Sequence, residues 1–269
     1  MGHDKLRKFA ENETFACLVQ PSCKELLSDG YANLRDHAMK GRWNEFFHNG
    51  NPIVLELGCG KGEYTIDLAL RNPSVNYIGV DIKGARLWKG AKFATEHALP
   101  NVAFLRIRVE FISAFFAPSE VSQIWLTFSD PQPRSENSRL SSPVFLERYR
   151  KILSPDGIVH LKTDSRMLHE YTKAVCLSNG LQVLMCTEDL YGKPEGVAPE
   201  VHEVQTFYEK MFLSQGYKIN YMCFRPGGDK VLESPEFDTD YWRSVEGDRQ
   251  IFGHDTAETR RQKMHSGRK

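Results

Sequence analysis

From Ile53 to Phe224 short apolar runs alternate with amphipathic stretches, and this alternation restricts the fold more than any other feature of the chain. Runs that are apolar at consecutive positions read as strands buried on both faces, which requires helices above and below a parallel sheet. Ile53–Leu57, Asn76–Val80, Val102–Ile107, Ser122–Phe128 and Gly157–Leu161 are such runs. Helical patterns follow them: through Ala69, over Ala85–His97, briefly after Glu110, over Pro143–Leu153 and over Ser165–Leu177. Two further strands, Gln182–Cys186 and Lys218–Phe224, have no clear crossover unit between them, which suits an antiparallel edge. The sequence thus predicts an α/β fold with a mostly parallel central sheet, an antiparallel edge strand and helices on both faces. Residues 1–50 are mixed, with breaks at Pro21, Gly30, Gly41 and Gly50, and 226–269 hold few aliphatics and read as a polar, poorly packed or disordered extension.

The first strand runs into Glu56-Leu57-Gly58-Cys59-Gly60-Lys61-Gly62. Alternate glycines let a backbone turn sharply and approach a ligand without Cβ interference. A dinucleotide fingerprint would need glycine at 63, where this chain has Glu63, so a nicotinamide cofactor is disfavoured. Asp81 ends the second strand, where a carboxylate can accept hydrogen bonds from both ribose hydroxyls. Glu56 can hold the cationic end of a ligand. S-adenosylmethionine, with a ribose, an ammonium and a sulfonium but no phosphate, meets all three features.

The fourth strand closes in Phe128-Ser129-Asp130-Pro131-Gln132-Pro133, whose prolines stiffen the exit. Lys162-Thr163-Asp164 ends the fifth strand, and Thr206-Phe207-Tyr208-Glu209 follows an acidic loop. Singly, each is more often a cap or a solvated turn than a site.

Together, LRKFAEN near the start, LELGCGKGEYT, GVDIKGARLWKGA, FSDPQP, HLKTD and TFYEKMF resemble the bacterial tRNA (guanine-N7-)-methyltransferase (TrmB-type) family, in its order, from about Lys5 to Phe224. The resemblance implies a Rossmann-like class I methyltransferase domain over 51–225, with an N-terminal segment able to contact tRNA. It implies methyl transfer from S-adenosylmethionine to N7 of a variable-loop guanine. By motif position Glu56, Gly58, Gly60, Gly62, Asp81 and Asp130 would fall on the cofactor, and Asp130 would also be catalytic. Arg134, Asp164, Thr206, Phe207, Tyr208 and Glu209 would fall on the substrate guanosine. The chain departs from the family pattern twice. The usual tryptophan and long basic run after the Asp-Pro is replaced by Gln132-Pro133-Arg134-Ser135-Glu136-Asn137-Ser138-Arg139, and the usual acid after the third strand is Arg108, with Glu110 two residues later. Rival expectations are a small-molecule methyltransferase with the same cofactor loop and an inactive RNA-binding relative.

Other residue types point away from other chemistries. The nine histidines show no metal-ligand spacing, and His160 and Trp43 read as packing residues. The six cysteines form no CxxC pair, no apolar run is long enough to span a membrane, and the start lacks an apolar signal core, so a reduced, cytoplasmic chain is expected. No metal and no obligate protein partner are expected. Thirty-five basic residues against 35 acidic give zero formal charge, which excludes a uniformly basic RNA binder. The balance is a cancellation between blocks, with seven bases to two acids over 71–108. Local clusters of this kind bind phosphates with salt-sensitive affinity.

Overall fold

The structure, a computed structural model, describes residues 2–28, 33–192 and 195–246. The N-terminal part contributes α1 (Gly2–Asn12), β1 (Leu18–Val19), α2 (Cys23–Leu26), the small antiparallel pair β2 (Leu27–Ser28) and β3 (Asn33–Leu34), and α3 (Trp43–Phe47). Then follow β4 (Ile53–Leu57), α4 (Glu63–Arg71), β5 (Asn76–Val80), α5 (Gly84–Glu96), β6 (Val102–Leu105), a 3₁₀ turn at Val109–Ala114, and β7 (Val121–Thr127). The remainder is α6 (Pro143–Arg150), β8 (Leu153–Thr163), α7 (Arg166–Ser178), β9 (Gln182–Thr187), α8 (Pro199–Glu203), α9 (Phe207–Ser214), β10 (Asn220–Arg225) and α10 (Thr239–Glu246).

Eight strands form one sheet in the order β1-β6-β5-β4-β7-β8-β10-β9. The pairs from β1 through β8 are parallel, and β10 is antiparallel to both β8 and β9. The antiparallel strand is therefore one in from the edge. Side chains alternate across the sheet and feed two cores, as the continuous apolar runs require. Leu55 and Leu57 point to the side of Trp43, Phe145, Leu146 and Tyr171, whereas Val54 packs with Tyr64, Leu68 and Leu87 on the other. Trp43 is fully buried and donates from Nε1 to the Phe115 carbonyl (2.9 Å), a packing role.

Helix ends follow local chemistry. Ser165 caps α7 by accepting from the Leu168 amide (3.1 Å), and Pro143 begins α6, where its missing N–H costs nothing. Residues up to Phe237 belong to one packed unit, which includes β1 at the sheet edge and the segment 226–237. Asp238 begins a second unit, where its carboxylate accepts from the Tyr241 amide (2.9 Å) at the start of α10. The rest of the expected polar extension, 247–269, lies outside the described residues. Among the described residues no helix is long and apolar enough to cross a membrane.

Candidate active site

The parallel strands β5, β4, β7 and β8 are neighbours, so their carboxyl ends open along one edge of the sheet. This is where ligands bind in open α/β sheets. Gly58, Gly60 and Gly62 all take positive φ (78°, 58° and 71°). A Cβ at Gly62 would lie 2.5 Å from Cε1 of Phe104, so the loop can pack down only with glycine there. A Cβ at Gly60 would meet nothing within 4 Å, leaving open space above the loop. The Gly60 amide donates to Asp81 Oδ2 (3.0 Å) and the Lys83 amide to Asp81 Oδ1 (2.7 Å), which fixes the acid at the rim.

Glu56 lies beneath this loop and is buried. One carboxylate oxygen accepts from the backbone amide (2.9 Å) and hydroxyl of Thr65, and the other accepts from the Thr127 hydroxyl. Burial pushes its pKa up to about 7, against the opposing effect of these hydrogen bonds. Thr65 and Thr127 were not expected from sequence. Hydroxyls on a helix and a neighbouring strand leave no linear signal of their meeting.

Asp130 is exposed just past β7, and its Oδ1 accepts from the Gln132 amide (3.1 Å). Phe128 and Gln132, on either side, both have left-handed backbones (φ 50° and 46°). Such conformations are costly for residues with a side chain and cluster at functional sites. The Phe128 amide donates to the Lys162 carbonyl (2.8 Å), and its ring stacks with Phe212 of α9 at 6.2 Å. The loop after β7 is thus tied to β8 and to α9.

The end of β8 supplies a residue whose role the sequence did not reveal. Lys162 is fully buried and pairs with Glu209, also fully buried, at 2.7 Å. Its ammonium also donates to the carbonyls of Val201 (2.5 Å) and Val204 (2.9 Å). Burial lowers the Lys162 pKa and the Glu209 carboxylate opposes that. Glu209 further accepts from the Tyr191 hydroxyl (2.5 Å) and from the Thr206 amide (3.4 Å), while Thr206 accepts from the Glu209 amide (3.2 Å). This reciprocal capping box starts α9. Phe207 and Tyr208 remain exposed, and the Lys61 ammonium of the glycine loop lies 5.5 Å and 6.0 Å from their ring centroids. The Phe207 amide donates to Glu63 Oε2 (3.0 Å). The aromatic pair therefore stands beside the glycine loop.

Comparison with known proteins gives this edge its context. Residues 50–222 match a family model described as "Putative methyltransferase". A tRNA (guanine-N(7)-)-methyltransferase of Christiangramia forsetii is 49% identical over 225 residues, covering 82% of this chain and 97% of that protein. One from Bacteroides thetaiotaomicron is 46% identical over 247 residues, covering 91% and 95%. The chain belongs to the tRNA (guanine-N(7)-)-methyltransferase family. Among solved structures, the 16S rRNA methyltransferase KamB superposes with a TM-score of 0.54 at 17% identity, covering 76% of this chain and 97% of that one, a likeness of fold alone.

The tRNA (guanine-N(7)-)-methyltransferase family is S-adenosylmethionine-dependent, and the residues here fit that group. The left-handed glycine loop, the open space above Gly60, the rim acid Asp81 and the buried acid Glu56 suit a ligand with a ribose and a cationic end. Among the described residues no cluster of three or more His, Cys, Asp and Glu side chains is placed to hold a metal. Glu209, which the resemblance puts on the guanosine, is held here by Lys162, Tyr191 and the α9 cap, and so fixes the start of the Thr206–Tyr208 stretch. Arg134 is exposed and Asp164 half-buried, in the loop after β7 and just past β8. Glu110 pairs with Arg108 at 2.8 Å. Burial pushes its carboxyl up, but Arg108 and the backbone outweigh this and leave it below its ordinary value. His160 is buried, stacked 4.0 Å from Trp125, and burial lowers its pKa to about 3.

A pH dependence follows for Glu56. A cationic ligand favours its ionised form, so cofactor binding at pH below about 7 must release a proton. Affinity for S-adenosylmethionine is expected to rise by up to about tenfold per unit through the range just below pH 7 and to level off above it. Calorimetric titrations at several pH values measure this, with Glu56→Gln flattening the curve. A flat profile in the unmodified protein would remove Glu56 from the ligand's cationic end.

Proposed function

We propose that this chain transfers a methyl group from S-adenosylmethionine to N7 of a guanine in the variable loop of tRNA. The observation that carries the reading is convergence: the glycine loop, the Asp130 turn and the Phe207–Tyr208 pair lie at one sheet edge, joined by Lys61, Phe128 and the Lys162–Glu209 pair. The names of the tRNA (guanine-N(7)-)-methyltransferase relatives support the choice of substrate.

When bound, S-adenosylmethionine supplies an electrophilic methyl group. Guanine N7 carries a lone pair and no proton, so the protein needs no general base. Its task is to align N7 with that methyl carbon, a positioning effect worth several kcal/mol or more. Glu56 and the glycine backbone hold the amino-acid end of the cofactor, and Asp81 takes the ribose hydroxyls. Asp130 and Asp164 face the N1–H and amino edge of the base, where they stabilise positive charge developing on the purine. Arg134 contacts the nucleotide, Thr206 fixes the start of α9, and Phe207 and Tyr208 stack on a guanine drawn out of the tRNA fold. The reaction takes place in the cytoplasm, on tRNA.

The test is methylation of an unmodified tRNA transcript with labelled cofactor, beside a transcript whose variable-loop guanine is changed to adenine. Label is expected in the first and not in the second. Labelled small molecules with unlabelled tRNA would mean a small-molecule enzyme. Binding of tRNA without transfer would mean an inactive relative.

A further inference from the structure

The segment after β10 turns back over the molecule. Arg150 of α6 donates to three of its carbonyls, Pro226 (2.5 Å), Lys230 (2.6 Å) and Gly227 (3.1 Å). The Leu232 amide donates to Glu147 (2.8 Å), and the Leu232 side chain is buried in the core. At the end of α7, Asn179 and Glu233 exchange hydrogen bonds, Nδ2 to the Glu233 carbonyl and the Glu233 amide to Oδ1, both 2.8 Å. The segment ends with Phe237 edge-on to Tyr171 (5.4 Å).

Tyr171 and Phe237 together flank a residue of the loop that carries Asp130. The Arg139 guanidinium lies 4.2 Å from the Tyr171 ring centroid and 6.0 Å from that of Phe237, and Arg139 is only 2% exposed. Its Nε donates to the carbonyl of Gln132 (3.4 Å), the left-handed residue two positions after Asp130. The Tyr171 hydroxyl donates to Glu136 in the same loop (2.9 Å). One of the few cations left in the thinned basic stretch is thus buried between rings instead of facing solvent.

We propose that residues 226–237 form a strap that positions the 130–139 loop, with Arg139 as the positioning residue and Phe237 as its clamp. The strap acts by holding the Gln132 carbonyl and hence the turn that presents Asp130. Its kinetic consequence rests on the proposed tRNA reaction; its structural consequence does not.

Two measurements test it on the full chain. Amide hydrogen exchange over 130–139, without tRNA, is expected to accelerate at least about tenfold in Phe237→Ala and in Arg139→Met. Steady-state kinetics should show KM for tRNA raised at least about fivefold in Phe237→Ala, with cofactor affinity within about twofold of the unmodified protein. The double variant should be no worse than Arg139→Met alone, because both changes break one linkage. Phe237→Tyr, which keeps the ring, should restore both readouts, and Phe237→Leu replaces Phe237→Ala should the latter not fold. Unchanged exchange in the loop, or additive kinetic losses in the double variant, would overturn the strap. If the unmodified protein does not methylate tRNA, the functional reading fails and the exchange measurement alone decides the strap.

Discussion

Asp130→Ala is expected to lower the rate of methyl transfer by about 10²–10³-fold at saturating tRNA and cofactor, the usual loss when a preorganised electrostatic contact to a transition state is removed. The carboxylate is exposed, and its hydrogen bond to the Gln132 amide is local, so the fold should tolerate the change. Guanine gains positive charge as the new bond to N7 forms, and a fixed anion favours that state more than the neutral ground state. Asp130→Asn separates charge from geometry, because it keeps an acceptor oxygen and loses the charge. A single-turnover assay reads both variants directly. Turnover at the level of the unmodified protein in Asp130→Ala would remove Asp130 from the reaction.

The second large effect concerns stability. Lys162→Met leaves the buried Glu209 carboxyl without its cation, with only the Tyr191 hydroxyl and the α9 cap as partners. Removing one member of a buried ion pair typically costs about 3–5 kcal/mol, whereas replacing both members with apolar side chains is often close to neutral. Denaturant unfolding should therefore show Lys162→Met strongly destabilised and Lys162→Met/Glu209→Met much less so. Comparable losses in both variants would mean that the Val201 and Val204 carbonyls, which Lys162 also satisfies, dominate instead.

The frame was legible because β4, β5, β6 and β7 are apolar at successive positions and end in punctuating residues. β8 was harder. Ser154-Pro155-Asp156-Gly157 reads as a turn, yet the strand runs from Leu153, with a register irregularity opposite Val121–Gln123 that accommodates the proline. β1 spans only Leu18–Val19, too short for any periodicity, and is a strand only because β6 offers it an edge. The positions of the glycine loop, Asp81 and Asp130 along one sheet edge are readable because each sits next to a strand end. The burial of Glu209 is not readable, for the opposite reason. Its position in a motif says nothing about depth, which is set by β8 and α8 arriving from elsewhere in the chain. Lys162 was the available signal, since a lysine within a buried strand demands an anion.

The placement of β10 between β8 and β9 imposes an order of assembly. Every parallel pair of the sheet can form from chain that precedes α8, so the half that carries the glycine loop can condense early during synthesis. Strand β9 cannot join the sheet until β10 has been made, and Lys162 has no carboxylate until α9 has folded. A nascent chain halted after β9 would expose an unpaired edge of β8 and an uncompensated ammonium. The half that carries α9 and its aromatic pair is therefore the last to close, and a truncated product would retain the glycine loop without Phe207 and Tyr208 beside it.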